Sequence, residues 1–325
     1  MTRPLLIIFL TIFVNLVGFG IIIPLLPFYA ETFGASPLTI GLLFAVFSAC
    51  QLVAAPVLGD LSDKYGRRPI LIFSLAGTVL SFVMMALAHS IAMLFAARIV
   101  DGLSGGNIST ARAYVADVTE PKDRAKAYGL IGAAFGLGFI MGPAMSGVLA
   151  KVSITAPIWA AAAITLVATL MAWLWLPETV HRASAGTGMP FRNLSEMLKR
   201  PGLRRMLWID FIYWFAFAIF QTTFALFAAH RFAFDASQTG YFFAAFGLLG
   251  AIVQGAVIRP IVHRLGDRPT FILGLVCAAV GLVATTYAHT VVLFSVALVP
   301  LALGIGFGHP TVSALVSRAG RADEQ

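Results

Sequence analysis

The chain has 325 residues, of which 59% are hydrophobic and only 11% are charged, and its mean hydropathy is +0.91. This composition is far more apolar than that of a soluble domain and excludes an ordinary water-soluble fold. The formal net charge of +8 does not indicate nucleic-acid binding, because the basic residues lie between apolar runs and not on one face. The composition predicts a protein embedded in a lipid bilayer.

Ten apolar runs are long enough to cross a bilayer, whose hydrocarbon core needs about 20 residues per helix. Six of them come before residue 177 and four come after residue 205. The runs are 5–29, 39–58, 69–88, 91–115, 128–149, 157–176, 206–229, 240–258, 270–288 and 291–316. The sequence therefore predicts an all-α membrane protein with about ten transmembrane helices.

The loops between these runs alternate in positive charge, which predicts the orientation in the membrane. Of the 22 basic residues, 18 fall on one side, whereas only Lys151 and Arg231 fall on the other and Arg98 and Arg112 lie within a span. Because basic loops stay in the cytoplasm, the N-terminus is predicted to be cytoplasmic. The bacterial inner (plasma) membrane is the predicted location.

The longest loop predicts a division into two bundles. Residues 1–180 would form a six-helix N-terminal bundle, 181–205 a cytoplasmic linker, and 206–325 an incomplete C-terminal bundle of four helices. A merely solvated basic loop explains the composition of the linker equally well. An internal repeat favours two bundles, because residues 60–69 and 260–269 each follow the second run of their half and share glycine, a basic residue and proline in register. Such parallel repeats are related by an axis along the membrane normal.

No sequence motif indicates an enzyme. Walker loops, zinc-ligand spacings and nucleophile elbows are all lacking, so neither a catalytic residue nor a cofactor or metal is predicted. The two cysteines, Cys50 and Cys277, fall in apolar runs, where a thiol usually acts as a small hydrophobic side chain. An ion gradient is the predicted energy source.

The loop from 59 to 69 carries the clearest motif. A glycine turn with carboxylates among basic side chains can form a charge network that holds two bundles in one state. Its residues are Gly59, Asp60, Asp63, Lys64, Gly66, Arg67 and Arg68. This loop resembles the signature loop of the major facilitator superfamily. The resemblance implies a monomer of twelve helices in two bundles related by a pseudo-two-fold axis, so two helices of the second bundle are expected to be missing from this chain.

The fifth run is rich in glycine. Gly138 and Gly142 are four residues apart and form a smooth ridge that another helix can approach closely. The full pattern is Gly129, Gly138, Gly142, Pro143 and Gly147. Ordinary helix packing explains small residues here, but the pattern resembles the signature of drug/proton antiporters, with Ser146 standing where that motif commonly has glycine.

The fourth run contains two charges that share a helix face, because Arg98 and Asp101 are three residues apart. Counting about 1.5 Å per residue places Asp101 near the middle of the bilayer, where a charge is costly and is usually paired or functional. The run resembles a family motif in which an arginine serves proton transfer. We expect Asp101 to carry the proton and Arg98 to tune it, with Arg112 on the same face near the cytoplasmic end. A static structural ion pair is the alternative.

The first half of the chain, through 176–179, resembles tetracycline-type exporters. Those exporters carry aspartates inside helices one, three and nine, whereas this chain has Asn15 in the first run and no acidic residue in 69–88 or 270–288. Tetracycline is therefore only one candidate substrate.

Polar residues inside apolar runs are candidates for a substrate cavity, with hydrogen bonding between helices as the alternative for each. They are Asn15, Gln51, Asn107, Gln221 and Gln254, together with His309. Asp210, near the start of the seventh run, is interpreted as an ion-pair partner of Arg204 and Arg205.

These features together predict a proton-coupled antiporter that exports drugs or other small amphipathic molecules. The expected partners are a small-molecule substrate, protons and the lipid bilayer. Two alternatives stay open. One is a metabolite or sugar transporter of the same superfamily, against which the glycines of the fifth run argue, and the other is a truncated remnant that transports nothing.

Overall fold

A computed structural model describes residues 3–105, 107–120, 123–179 and 201–319, and the regular structure in these ranges is helical. Ten of its helical segments are long and apolar enough to cross a membrane, which confirms the predicted spans. The spans are Arg3–Glu31 (span 1), Pro37–Tyr65 (span 2), Arg67–Ala86 (span 3), Ile91–Ser104 with Asn107–Val118 (span 4), Arg124–Leu149 (span 5), Ala156–Trp175 (span 6), Pro201–Phe232 (span 7), Ala236–Ile252 with a π-helical turn Val253–Val257 and Ile258–Leu265 (span 8), Asp267–Tyr287 (span 9) and Val291–Ala319 (span 10).

Short polar caps begin several spans, because the first N–H groups of a helix have no partner within it. The Ser90 hydroxyl accepts from the backbone N–H of Met93 at the start of span 4. Asp235 accepts from the N–H of Gln238 at 2.7 Å, and the Gln238 side chain accepts in return from the N–H of Asp235 at 3.0 Å. This reciprocal capping box fixes where span 8 begins.

Two glycines join spans in the two copies of the internal repeat. Gly66 connects spans 2 and 3 with a φ of +111°, and Gly266 connects spans 8 and 9 with a φ of +84°. These backbone conformations are strained for any residue with a Cβ atom. The same turn therefore closes both copies, although only the first retains the two aspartates.

The described residues cluster into two compact units. The first contains spans 1–6 together with Ala225–Ala229 and Phe234–Ala244, and the second contains the remaining described residues from 201 onward. In the first unit, span 1 packs against spans 5 and 6, and span 3 packs against span 6. The second unit is built on the contact between spans 9 and 10.

The predicted linker, 181–205, lies outside the described residues up to position 200, and the helix of span 7 begins at Pro201. Large apolar side chains are exposed on most spans; examples are Leu170, Trp173 and Val292. Such a surface suits lipid as the solvent. Cys50 and Cys277 are free thiols.

Candidate functional site

An ion pair is buried in the first helix of span 4. Arg98 donates from Nη1 to Asp101 Oδ2 at 2.9 Å, and the two residues are only 1% and 7% exposed. The i, i+3 spacing on the capped helix that begins at Ile91 aligns both side chains on one face. Charges buried this deeply are stable only when they are paired and hydrogen-bonded.

Span 2 supplies the remaining contacts of Arg98. Its Nε donates to the Leu43 carbonyl at 3.4 Å, and its guanidinium lies 4.0 Å from the centre of the Phe47 ring. Among the described residues, Nη2 has no hydrogen-bond partner. The guanidinium is thus held by a carboxylate, a carbonyl and an aromatic face, while the two N–H donors of Nη2 have no acceptor among the described residues.

Asp101 lies on the wall of a cavity of about 140 Å³ within the first unit. The Thr78 hydroxyl of span 3 interacts with its carboxylate, while the Ser81 hydroxyl lies beside it without a hydrogen bond of regular geometry. Most of the remaining wall is aromatic or aliphatic. The lining residues are Asn15, Leu16, Phe19, Phe47, Gln51, Thr78, Phe82, Asp101, Gly105, Ile108, Phe135 and Phe139.

The end of the first helix of span 4 shapes this cavity. A Cβ atom on Gly102 would lie 2.5 Å from the Phe47 carbonyl oxygen, so only glycine lets span 2 approach this closely. The Gln51 side chain then donates to the Gly105 carbonyl at 3.2 Å, just beyond the last helical residue, Ser104. The bond satisfies a carbonyl that the helix end leaves without a helical partner.

The structure brings some of the predicted cavity residues together and separates others. Asn15 and Gln51 line the cavity with Asp101, whereas Gln221 and Gln254 belong to the second unit. Gln254 is exposed on the π-helical turn of span 8. Asn107 begins the second helix of span 4, and its side chain lies outside the described part of the chain. Arg112, on the same helix, is exposed and does not line the cavity.

Sequence reasoning missed Thr78 and Ser81. The third run has no acidic residue between 69 and 88. A signal was nevertheless present, because Thr78 and Ser81 are three residues apart and therefore share a helix face. Both are buried.

A second polar cluster surrounds the signature loop. Arg67 forms ion pairs with Asp63 and, from Nε, with Asp117 Oδ2 at 3.1 Å, and it donates from Nη1 to the Ser62 hydroxyl at 2.7 Å. Lys64 is exposed and lies over the Tyr65 ring. Of the remaining residues of the motif, Asp60 is exposed, and a Cβ atom on Gly59 would meet open space.

Glu178 holds the start of span 3. Its carboxylate accepts from the backbone N–H of Arg67 at 2.9 Å and of Arg68 at 3.2 Å. A Cβ atom on Gly66 would lie 2.8 Å from Glu178 Cδ, so the glycine makes room for this cap as well as for the turn. The Arg68 side chain donates to the Trp173 carbonyl. The two carboxylates of the network outside the loop, Asp117 and Glu178, were not assigned from the sequence.

The glycines of span 5 face two different neighbours. Cβ atoms on Gly138 and Gly142 would lie 2.6 Å from Leu16 Cβ and from the Val17 carbonyl oxygen of span 1. Gly147 instead faces span 8, where the Ser237 hydroxyl donates to its carbonyl. The predicted smooth ridge therefore has close contacts on both sides, and Pro143 next to Gly142 is buried within it. A Cβ atom on Gly129 would meet nothing within 4 Å.

The fold and this polar interior define a multi-pass membrane transporter with a small-molecule substrate. Residues 8–325 match the Major Facilitator Superfamily. The chain belongs to this superfamily, which confirms the resemblance seen in the signature loop. Its relatives and its structural neighbours are transporters, a class of protein distinct from enzymes.

Several curated relatives are exporters that confer resistance. The chain is 35% identical to the class G tetracycline resistance protein of Vibrio anguillarum, with 92% of this chain and 78% of that protein covered. It is 32% identical to the class C tetracycline resistance protein of Escherichia coli, with 99% and 83% covered. It is also 32% identical to multidrug resistance protein 2 of Bacillus subtilis (strain 168), with 83% and 69% covered.

Solved structures share the fold. The human organic anion transporter MFSD10 (TETRAN) matches with a TM-score of 0.67 and 25% identity, and the match covers 98% of this chain and 91% of that one. The nucleoside transporter NupG, as its D323A mutant, matches with a TM-score of 0.78 at 15% identity, with 98% and 86% covered.

Proposed function

We propose that the chain is a proton-coupled antiporter that exports small amphipathic molecules, with Asp101 as the proton carrier and Arg98 as the residue that tunes it. The observation that carries the proposal is the buried Arg98–Asp101 pair on the wall of the polar and aromatic cavity. The pair lies in the first helix of span 4, Ile91–Ser104, whose other residues are all uncharged, and an ionisable residue within a membrane is a functional candidate by default.

The charge balance of the pair explains how a proton and a substrate exclude each other. With Asp101 ionised, the pair is neutral. Protonation of Asp101 leaves the Arg98 guanidinium as a net positive charge whose other contacts are the Leu43 carbonyl and the Phe47 ring. A cationic substrate group in the cavity is then repelled, so substrate and proton occupy the site in turn. Arg112 lies outside the cavity, and we assign it a supporting charge near the cytoplasmic end of span 4.

The lining of the cavity supports an amphipathic substrate. Five phenylalanines offer ring faces, and Asn15, Gln51 and Thr78 offer hydrogen-bonding groups; this mixture is typical of small-molecule sites. Gln221, Gln254 and Asn107 stay candidates for substrate contacts elsewhere along the path. The relatives named for tetracycline and multidrug resistance support a substrate of this class, and tetracycline-like compounds belong to it.

The loop cluster supports a gating role. Arg67 links Asp63 of the loop to Asp117 at the end of span 4, and Glu178 links the start of span 3 to the end of span 6. Such a network has one arrangement in which all its charges are paired, so it favours one transport state over the others. We place the loop and the N-terminus in the cytoplasm on the basis of the distribution of Lys and Arg.

The test uses the chain reconstituted in proteoliposomes with an imposed pH gradient and a fluorescent lipophilic cation as probe. The wild type is expected to accumulate the probe against its gradient, and Asp101→Asn is expected to lose this accumulation. The control is Asp235→Asn, because Asp235 is an exposed cap residue at the start of span 8 and asparagine caps a helix equally well.

Each outcome separates the alternatives. Gradient-driven accumulation that persists in Asp101→Asn would refute the carrier assignment. Accumulation of a sugar or nucleoside in place of the cation would favour the metabolite transporter, and the absence of any flux in the wild type would favour a chain that does not transport.

A further inference from the structure

A polar cluster joins spans 7 and 10 in the second unit. The Trp214 indole and His309 both lie within electrostatic range of the Asp210 carboxylate. The Trp214 and His309 rings meet edge to face, with centres 5.0 Å apart and planes at 76°. The expected partners of Asp210, Arg204 and Arg205, are therefore not the groups that it interacts with among the described residues.

Both ionisable groups lie near the same end of their apolar spans. Asp210 is eight residues from Gly202, the first residue of one apolar span, and His309 is seven residues from Val316, the last residue of the other. At about 1.5 Å per residue, each lies about 10–12 Å from that residue. Spans of 31 and 26 residues are longer than the hydrocarbon core, which is about 30 Å thick, so both groups lie close to its edge, where they can exchange protons with water.

The backbone brings the two helices together without help from the charges. A Cβ atom on Gly308 would lie 2.5 Å from the Tyr213 ring, and the Tyr213 hydroxyl donates to the Ile305 carbonyl at 3.3 Å. The contact between spans 7 and 10 therefore rests on a glycine and a tyrosine that do not change charge near neutral pH. His309 and Asp210 are free to change protonation while the helices stay packed.

Other titratable groups approach span 10 from its neighbours. Arg259 and His263 of span 8 and Asp267 of span 9 line a separate cavity next to Pro310 and Thr311. These groups face the residues that follow His309, whereas Asp210, Tyr213 and Trp214 of span 7 face His309 itself. Among the described residues, Asp210 is a carboxylate that interacts electrostatically with His309.

We propose that Asp210 and His309 form a second protonation site that is distinct from Asp101. This site makes the transporter respond to pH on the side of the membrane where residues 202 and 316 lie. At low pH the imidazolium faces the carboxylate and the pair is neutral. At higher pH the imidazolium releases one proton to water and leaves a net negative charge between the two spans. Histidine is the side chain whose charge changes in the physiological range, and this end of the membrane is cytoplasmic in the proposed orientation.

Trp214 supplies a direct readout, because a protonated imidazole in contact with an indole quenches its fluorescence. The chain has five tryptophans. A reporter with Trp159, Trp173, Trp175 and Trp208 changed to Phe would carry Trp214 alone. In nanodiscs, its emission is expected to fall on acidification, with a single transition between about pH 5 and 8. The transition should be lost in His309→Gln.

Matched variants separate this site from its neighbours. In Asp210→Asn the imidazolium loses its counter-charge, so the transition should move to lower pH by about one unit. His263→Gln and Asp101→Asn should leave it in place. A transition that persists in His309→Gln, that disappears in His263→Gln or that keeps its midpoint in Asp210→Asn would overturn the proposal. Circular dichroism and gel filtration show whether each variant is folded.

The consequence for transport rests on the proposed function and is measured separately. At a fixed pH gradient, His309→Gln is expected to flatten the dependence of probe flux on internal pH, while Asp101→Asn removes the flux altogether. The fluorescence transition does not depend on flux. A chain that fails to transport would refute the proposed function and leave the second protonation site standing, whereas a normal flux profile in His309→Gln would refute its role in transport.

Discussion

Gly66→Ala tests how the turn after span 2 is held. Gly66 has φ +111° and ψ 149°, and Gly266, at the same position in the second copy of the repeat, has φ +84° and ψ 170°. Such conformations cost a residue with a Cβ atom about 1–3 kcal/mol. At Gly266 the new methyl group meets nothing within 4 Å, whereas at Gly66 it collides with the Glu178 carboxylate.

The collision adds a second cost at Gly66 alone. If Glu178 is displaced, the N–H groups of Arg67 and Arg68 lose their acceptor, which costs about 1–3 kcal/mol for a charged helix cap near the surface. Gly266→Ala is therefore expected to lower the free energy of unfolding by about 1–3 kcal/mol. Gly66→Ala should lower it by about 2–6 kcal/mol.

A double-mutant cycle isolates the contact. The free energy of unfolding is measured by titration with SDS in mixed micelles, with helix content followed by circular dichroism, for Gly66→Ala, Glu178→Ala and the double variant. The double variant should be less destabilised than the sum of the single variants by about 1–3 kcal/mol, since the cap can be lost only once. Glu31→Gln, at an exposed helix end, is the control. Additive losses would refute the proposed contact.

Three further changes follow from the packing of the first unit. Gly142→Ala forces span 5 away from the backbone of span 1 and should cost about 1–3 kcal/mol of unfolding free energy. Gly129→Ala, the control, should be neutral or slightly stabilising. Equal losses of unfolding free energy in the two variants would contradict the close contact between Gly142 and span 1. Phe47→Leu removes the ring from the Arg98 guanidinium and should cost about 1–2 kcal/mol in the same titration, and no change would argue against that contact. Gln51→Ala should raise the KM for the probe cation by about 3- to 10-fold with little effect on kcat. An unchanged KM would show that the Gln51 side chain does not contribute to binding of the probe.

The fold was largely predictable, because a bilayer permits few backbone structures to cross it. Every span must satisfy its own backbone, so length and hydropathy alone located the ten membrane-length segments found among the described residues. The turn at Gly105, after the first helix of span 4, and the π-helical turn at Val253–Val257 were not predicted. Apolar runs continue across both, since such irregularities depend on contacts with neighbouring helices.

The charged residues of the candidate site could be predicted from the sequence, because charge is rare in apolar runs. The residues that contact them in space could not be predicted. Arg98 and Asp101 are conspicuous because an apolar run excludes charge. Their neighbours in space, such as Thr78 from span 3, are ordinary polar residues whose role appears only after the spans pack. Asp210 shows the same limit, because the sequence favours its basic neighbours Arg204 and Arg205 as partners, whereas the fold brings it within electrostatic range of His309, 99 positions later.

The most direct measurement of the central claim compares two modes of transport in the same proteoliposomes. Counterflow, the exchange of labelled for unlabelled molecules of an uncharged amphipathic probe, requires the site to bind and reorient but requires no proton. An uncharged probe is used because Arg98 does not repel it when residue 101 is neutral. Accumulation driven by a pH gradient requires the proton carrier as well. Asp101→Asn is expected to retain counterflow and to lose gradient-driven accumulation. Accumulation at the wild-type level in Asp101→Asn, with counterflow intact, would contradict the assignment of Asp101 as the proton carrier.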